Sequence, residues 1–158
     1  MFTKKNFKTV AIIGGGLIGS SLAHSIRENH LCDNLRIFDS KTDVRKKLKE
    51  IFSSHEICEN LNETVTEADL VFLCVPVGSM RDVAKRISNL LKKGCILTDT
   101  GSTKNSVIKD IQPFIKEDVW FIPSHPLAGT ENSGPGAGFP GLFKGKYWVV
   151  VPLSLIHI

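Results

Sequence analysis

Short apolar runs alternate along this chain with stretches whose apolar residues fall at helical spacing. Val10-Ala11-Ile12-Ile13 is a continuous apolar run cut off by three glycines, the pattern of a buried parallel strand. After it, Ile18, Leu22, Ala23 and Ile26 recur at three- and four-residue intervals and predict a helix over 17–29. Leu35 to Phe38 predicts a second strand ending at Asp39. Ser40 followed by Asp43 predicts the start of a helix striped by Val44, Leu48 and Ile51. Leu70 to Val75 is the strongest strand signal, stopped by Pro76. Ser79 with Asp82 repeats the capping pattern, and Val83, Ile87, Leu90 and Leu91 mark one face of a helix that Gly94 closes. Cys95 to Thr98 predicts a strand ending at Asp99. Val107, Ile108 and Ile111 predict a helix broken near Pro113, and Trp120 to Ile122 a strand running into Pro123-Ser124-His125. Residues 129–145 hold 6 of the 13 glycines and predict a long irregular loop, with Tyr147 to Val151 as the last strand. There is no internal repeat and no low-complexity linker.

This alternation predicts an α/β fold: a doubly wound, mainly parallel sheet with helices on both faces. Ligands of such sheets bind beyond the carboxyl ends of the strands. The residues to weigh are therefore Gly14 to Gly19, Asp39, Pro76 to Ser79, Asp99 to Lys104 and Ser124 to Thr130. The length of 158 residues adds that this is one domain, at roughly 100–200 residues per domain. An apolar fraction of 42% and a charged fraction of 23% fit an ordinary globular chain rather than a disordered one. No apolar run approaches the roughly 20 residues of a membrane helix.

The net charge is +4, and residues 1–50 carry 10 of the 20 basic groups. The densest cluster is Arg45, Lys46, Lys47 and Lys49. It reads either as a nucleic-acid stripe or, the favoured reading, as the solvated face of a helix. Cys32, Cys58, Cys74 and Cys95 form no Cys-x-x-Cys, so neither a zinc site nor a redox pair has support. Cys74 and Cys95 lie inside apolar runs and read as small buried hydrophobes. With no secretory signal pattern, the expected location is the cytoplasm.

Gly14-x-Gly16-x-x-Gly19 follows the first strand and opens the first helix, the context that a dinucleotide-binding turn requires. Gly14 permits the tight turn, Gly16 lets backbone approach a pyrophosphate, and Gly19 lets helix and strand pack closely. Asp39 stands 20 residues after Gly19, where a carboxylate accepts hydrogen bonds from ribose hydroxyls. It would repel a 2′-phosphate, so NAD is favoured over NADP, although Lys41 and Arg45 offer cations that could accommodate one. The residues expected against a dinucleotide are Gly14, Gly16, Leu17, Ile18, Gly19, Asp39, Val75 and Pro76, in a Rossmann-type domain spanning 1–152. His125 is the leading general base: it lies on the ligand edge between Pro123 and Pro126, and histidine accepts protons near neutral pH. His24 falls on the polar side of the first helix, and His30, His55 and His157 lie in less suitable places.

The segment Ser124-His125-Pro126-Leu127-Ala128-Gly129-Thr130-Glu131, with Gly14 to Ala23, Asp99 to Lys104 and Glu131 to Gly138, resembles the prephenate/arogenate (cyclohexadienyl) dehydrogenases of tyrosine biosynthesis. The resemblance spans about residues 8–152. It implies NAD-dependent oxidative decarboxylation of prephenate or arogenate. His125 would take the substrate hydroxyl proton, Ser102 would orient hydroxyl and histidine, and Ser124, Thr130 and Glu131 would line the substrate side, Glu131 also gating it. No metal is implied. Enzymes of this family continue into a helical second domain that forms a homodimer and clamps the substrate carboxylates. Residues 153–158 are accordingly expected to be a truncated tail, and the chain to turn over little alone. Another hydroxyacid-type dehydrogenase and a non-catalytic nucleotide-binding module are the alternatives.

Overall fold

The computed structural model describes residues 7–153, so residues 154–158 of the expected tail lie outside the described residues. Five strands form one wholly parallel sheet in the order β2-β1-β3-β4-β5: β1 Phe7–Ile13, β2 Cys32–Phe38, β3 Leu70–Leu73, β4 Ile96–Asp99 and β5 Trp120–Ile122. Side chains alternate across it. Val10 and Ile12 of β1 join Leu35 and Ile37 beneath α1 (Leu17–Glu28) and α2 (Thr42–Ile51). Ala11 and Ile13 join Val71, Leu73 and Leu97 beneath α3 (Leu61–Val65), α4 (Val77–Ile87) and α5 (Lys104–Ile111). Both faces of the central strands are covered, which is why those strands read as unbroken apolar runs. The chain leaves β1 first toward β2 and later toward β3, so the order reverses between β1 and β3 and opens a crevice at their carboxyl ends.

Several expectations change. The last strand, β7 (Trp148–Val150), does not join the main sheet. It pairs antiparallel with β6 (Ser124–Pro126) in a separate ribbon, with His125 opposite Val149. Trp148 packs its ring against Phe143 at 5.2 Å and Phe72 at 6.3 Å, which seats the ribbon on the sheet. Ser79 lies inside α4, because Pro76, with φ −52°, starts that helix at once. Ser40 is not a cap either: α2 begins at Thr42 with no side-chain cap. Strand β3 stops at Leu73, and α4 stops at Ile87 before Leu90 and Leu91. The short helix α3 went unpredicted, since its five residues are too few to show a period; Asn60 caps it by accepting from the Glu63 N–H at 2.9 Å. His24 is half-buried and stacks on Phe52 at 4.7 Å, and burial lowers its pKa from the usual value.

At the opposite end of the sheet, Asp69 ties three strands together. Its carboxylate accepts the Thr9 N–H at 2.8 Å and the Lys92 ammonium at 2.6 Å, and its carbonyl accepts from Ile96. The hydrogen bond from Lys92, then that from Thr9, holds the Asp69 carboxyl below the usual carboxylate range. A depressed folded-state pKa means that the stabilisation is fully present above the unfolded value and is lost as pH falls through the depressed one. Asp69→Asn is therefore expected to lower stability at neutral pH and to flatten its fall on acidification, read from urea midpoints between neutrality and pH 3; an unchanged acid limb would refute this tie.

Candidate active site

Two sets of residues meet in one cleft of about 760 Å³ at the carboxyl ends of the strands. The first is the glycine turn between β1 and α1. Gly14 has φ +103°, and a Cβ there would fall 2.3 Å from the Cys74 carbonyl oxygen. A Cβ on Gly19 would fall 1.9 Å from the Gly14 carbonyl oxygen. Gly16 differs: its φ is −73° and nothing stands within 4 Å of the position a Cβ would take. The fold itself demands the first and third glycines and does not demand the second. No side chain caps α1, so its first-turn N–H groups remain available to an anion.

Asp39 closes the turn from β2. Its Oδ2 accepts the Gly15 N–H and its Oδ1 the Lys41 N–H, each at 2.9 Å. A carboxylate offers about four acceptor positions, so about two remain for hydroxyl groups. Leu17, Ile18, Val75 and Pro76 line the same cleft, while Gly19 is buried behind it, in contact with the turn. The residues present thus fit a dinucleotide. Arg45 does not stand free beside this site: it donates to the Asp39 carbonyl at 2.8 Å and to Glu59 at 3.1 Å. Lys49 also binds Glu59, at 2.6 Å, and hydrogen bonds from Lys49 and Arg45 hold that carboxyl low. Lys46 and Lys47 are exposed to solvent. Half of the basic cluster is therefore spent on one carboxylate.

The second set comes from the β4–α5 loop and from β6. His125 is half-buried on the cleft wall, and its Nδ1 lies 3.3 Å from the Thr100 carbonyl oxygen. A carbonyl only accepts, so this contact makes Nδ1 the donor, and in the neutral ring Nε2 then carries the lone pair. Ser102 is exposed and lines the cleft with His125. Ser124 does not line the cleft: it is buried, and its hydroxyl faces the Asp99 carbonyl at 2.7 Å and the Thr98 hydroxyl at 2.9 Å. Thr130 and Glu131 are exposed on the loop after β6, outside the cleft lining; Thr130 accepts the Asn132 N–H at 3.2 Å. Two charges went without a role in the sequence: the buried Asp99, and the largely buried Lys104, which pairs with it. Asp99 ends a strand and Lys104 opens the following helix, so no helical or strand period relates them and no sequence pattern announces the pair. Burial pushes the Cys74 thiol up to about 12 and the Cys95 thiol up to about 11. Among the described residues no cluster of His, Cys, Asp or Glu could hold a metal, and no helix is long and apolar enough to cross a membrane.

The prephenate dehydrogenase nucleotide-binding domain family matches residues 22–155. The chain belongs to this family. Within it, the chain is 42% identical over 146 residues to a cyclohexadienyl dehydrogenase of Zymomonas mobilis, covering 92% of this chain and 50% of that protein. It is 36% identical over 152 residues to a prephenate dehydrogenase of Lactococcus lactis, covering 93% and 42% respectively. Its fold superposes with a TM-score of 0.86, at 26% identity, on an Aquifex aeolicus prephenate dehydrogenase solved with hydroxyphenyl propionate and NAD+, covering 96% of this chain and 53% of that one. The prephenate dehydrogenase nucleotide-binding domain seen here thus spans about half the length of the relatives it matches.

The two glycines with different reasons to be glycine give a paired test. Gly19→Ala is expected to lower stability by about 1–3 kcal/mol, as overpacking does. Gly16→Ala should change it by less than about 0.5 kcal/mol, as an open surface site does. Equal urea midpoints for the two variants would refute the close approach of α1 to the turn.

Proposed function

We propose that this chain is the nucleotide-binding part of an NAD-dependent prephenate or arogenate dehydrogenase and carries its general base. The observation that supports this most directly is the His125 contact with Thr100, which in the neutral ring assigns the lone pair to Nε2 on a cleft that also holds the glycine turn. A bound oxidised nicotinamide supplies the acceptor for the hydride on the substrate carbon that bears the hydroxyl. His125 Nε2 accepts the hydroxyl proton, and the resulting carbonyl draws the electrons of the departing carboxylate into the ring. Carbon dioxide leaves, and aromatisation makes the step hard to reverse. Ser102 orients the hydroxyl. Asp39 receives the ribose hydroxyls and selects NAD, helped by Glu59, which compensates the cations of Arg45 and Lys49. Substrate carboxylate binding and dimer formation are assigned to the half of the relatives' length that this chain does not span. The four free thiols are consistent with a reducing, cytoplasmic setting.

Calorimetric titration of the chain should show NAD+ binding at least about tenfold, or about 1.4 kcal/mol, tighter than NADP+. Gly16→Val should abolish that binding without unfolding the chain. Equal affinity for both dinucleotides would sink the role of Asp39. Catalysis is tested by exchanging this domain into the Zymomonas mobilis enzyme. There, His125→Asn should lower kcat about 10²–10⁴-fold with NAD+ affinity unchanged. Wild-type kcat in that variant, or a preference for simple 2-hydroxyacids over prephenate and arogenate, would overturn the reading.

A further inference from the structure

The buried pair of Asp99 and Lys104 makes a set of contacts that the steps above do not use. The Asp99 side chain is fully buried and that of Lys104 nearly so. Asp99 Oδ2 accepts the Lys104 ammonium and the Gly101 N–H at 2.8 Å, while Oδ1 accepts the Ser124 N–H at 3.2 Å. Lys104 Nζ also donates to the Ser124 carbonyl, and the Ser124 hydroxyl returns to the Asp99 carbonyl at 2.7 Å. One carboxylate and one ammonium thus grip two chain segments. The first is the loop that holds Thr100, Gly101 and Ser102. The second is residue 124, directly before His125.

We infer that Asp99 and Lys104 are positioning residues for the general base: by clamping the 100–102 loop to residue 124, they set the separation of the Thr100 carbonyl from the His125 ring and so fix which imidazole nitrogen carries the proton. This rests on the reading of His125 as the base. The alternative is that the pair serves stability alone. A buried ion pair is a poor means of stabilisation, because removing two charges from water offsets most of their attraction; what it supplies is a defined geometry. The geometry here is specific to the His125 contact. Thr100 belongs to β4's outgoing loop and His125 to a ribbon with its own register. The ladders of the main sheet do not hold the two together: the β4–β5 pairing runs only from Ile96 to Thr98. Beyond it, Thr98 and the Asp99–Lys104 cluster provide the cross-links, through Thr98 Oγ1 to the Ile122 carbonyl at 2.7 Å and the bonds to Ser124 already given.

The test is the tautomer of His125, read from the 15N chemical shifts of its ring in the isolated chain, with NAD+ affinity measured in parallel. The wild-type chain should hold the proton on Nδ1. Lys104→Met should shift His125 toward the mixture of a solvated imidazole, with NAD+ affinity within about twofold of wild type, and Lys104→Arg should restore the wild-type shifts. Met at 104 leaves Asp99 unpaired, which can itself cost the fold. The same spectrum is therefore taken on the paired change Asp99→Asn with Lys104→Met, which buries no charge. There the single amide oxygen can no longer serve both Gly101 and Ser124. A folded variant of either kind that keeps the wild-type tautomer overturns the proposal. If the wild-type chain itself binds no NAD+, the dehydrogenase reading fails while the comparison of tautomers still decides the clamp, so the two fail separately.

Discussion

The arrangement depends on how closely a helix can start behind a strand. α1 begins four residues after β1 ends, and its third residue, Gly19, lies against the carbonyl oxygen of Gly14, where even a methyl group would collide. That contact pulls the helix N-terminus against the sheet, at the point where the strand order reverses. A strand-ending carboxylate then locks the turn from the side, through the Gly15 N–H and Asp39. Every later feature of the cleft inherits this placement, because β3 and β4 are hydrogen-bonded in register outward from β1.

Across the cleft the same device is repeated with different parts. Asp39 follows β2 and accepts the backbone N–H of Gly15 in the glycine turn and that of Lys41; Asp99 ends β4 and accepts those of Gly101 and Ser124. The difference lies in solvation. Asp39 keeps acceptor positions open to the cleft, whereas Asp99 is sealed and is compensated by Lys104. One carboxylate remains available to a ligand; the other is committed wholly to the protein.

The parts of this molecule that obey a local rule were legible in the sequence, and the parts set by contacts distant along the chain were not. The strands from Val10, Leu35, Leu70, Ile96 and Trp120 announce themselves as apolar runs, and each glycine of the turn carries its reason in its position. Gly16 is legible as part of the turn because spacing alone defines it. The direction of the Ser124 side chain was not legible, because a serine next to a histidine looks identical whether its hydroxyl faces the cleft or the Asp99 carbonyl. Ser40 and Ser79 have the composition of caps, but backbone geometry begins those helices elsewhere, at Thr42 and directly after Pro76. Arg45 likewise looks like a free cation until Glu59, 14 residues away, is folded against it.

The ribbon that carries His125 is joined to its partner strand by a long loop, which returns to the first helix: Phe139 donates to the Ser21 hydroxyl, and the Ser25 hydroxyl donates to the Pro140 carbonyl. The segment that carries His125 and the glycine turn are therefore held to one another through the loop and not through a shared ladder. Residues at the loop's exposed tip can drift, lengthen or be exchanged while the five-stranded sheet keeps its register, because the ribbon shares no ladder with that sheet. Such an architecture lets the loop vary while the sheet and its glycine turn stay unchanged.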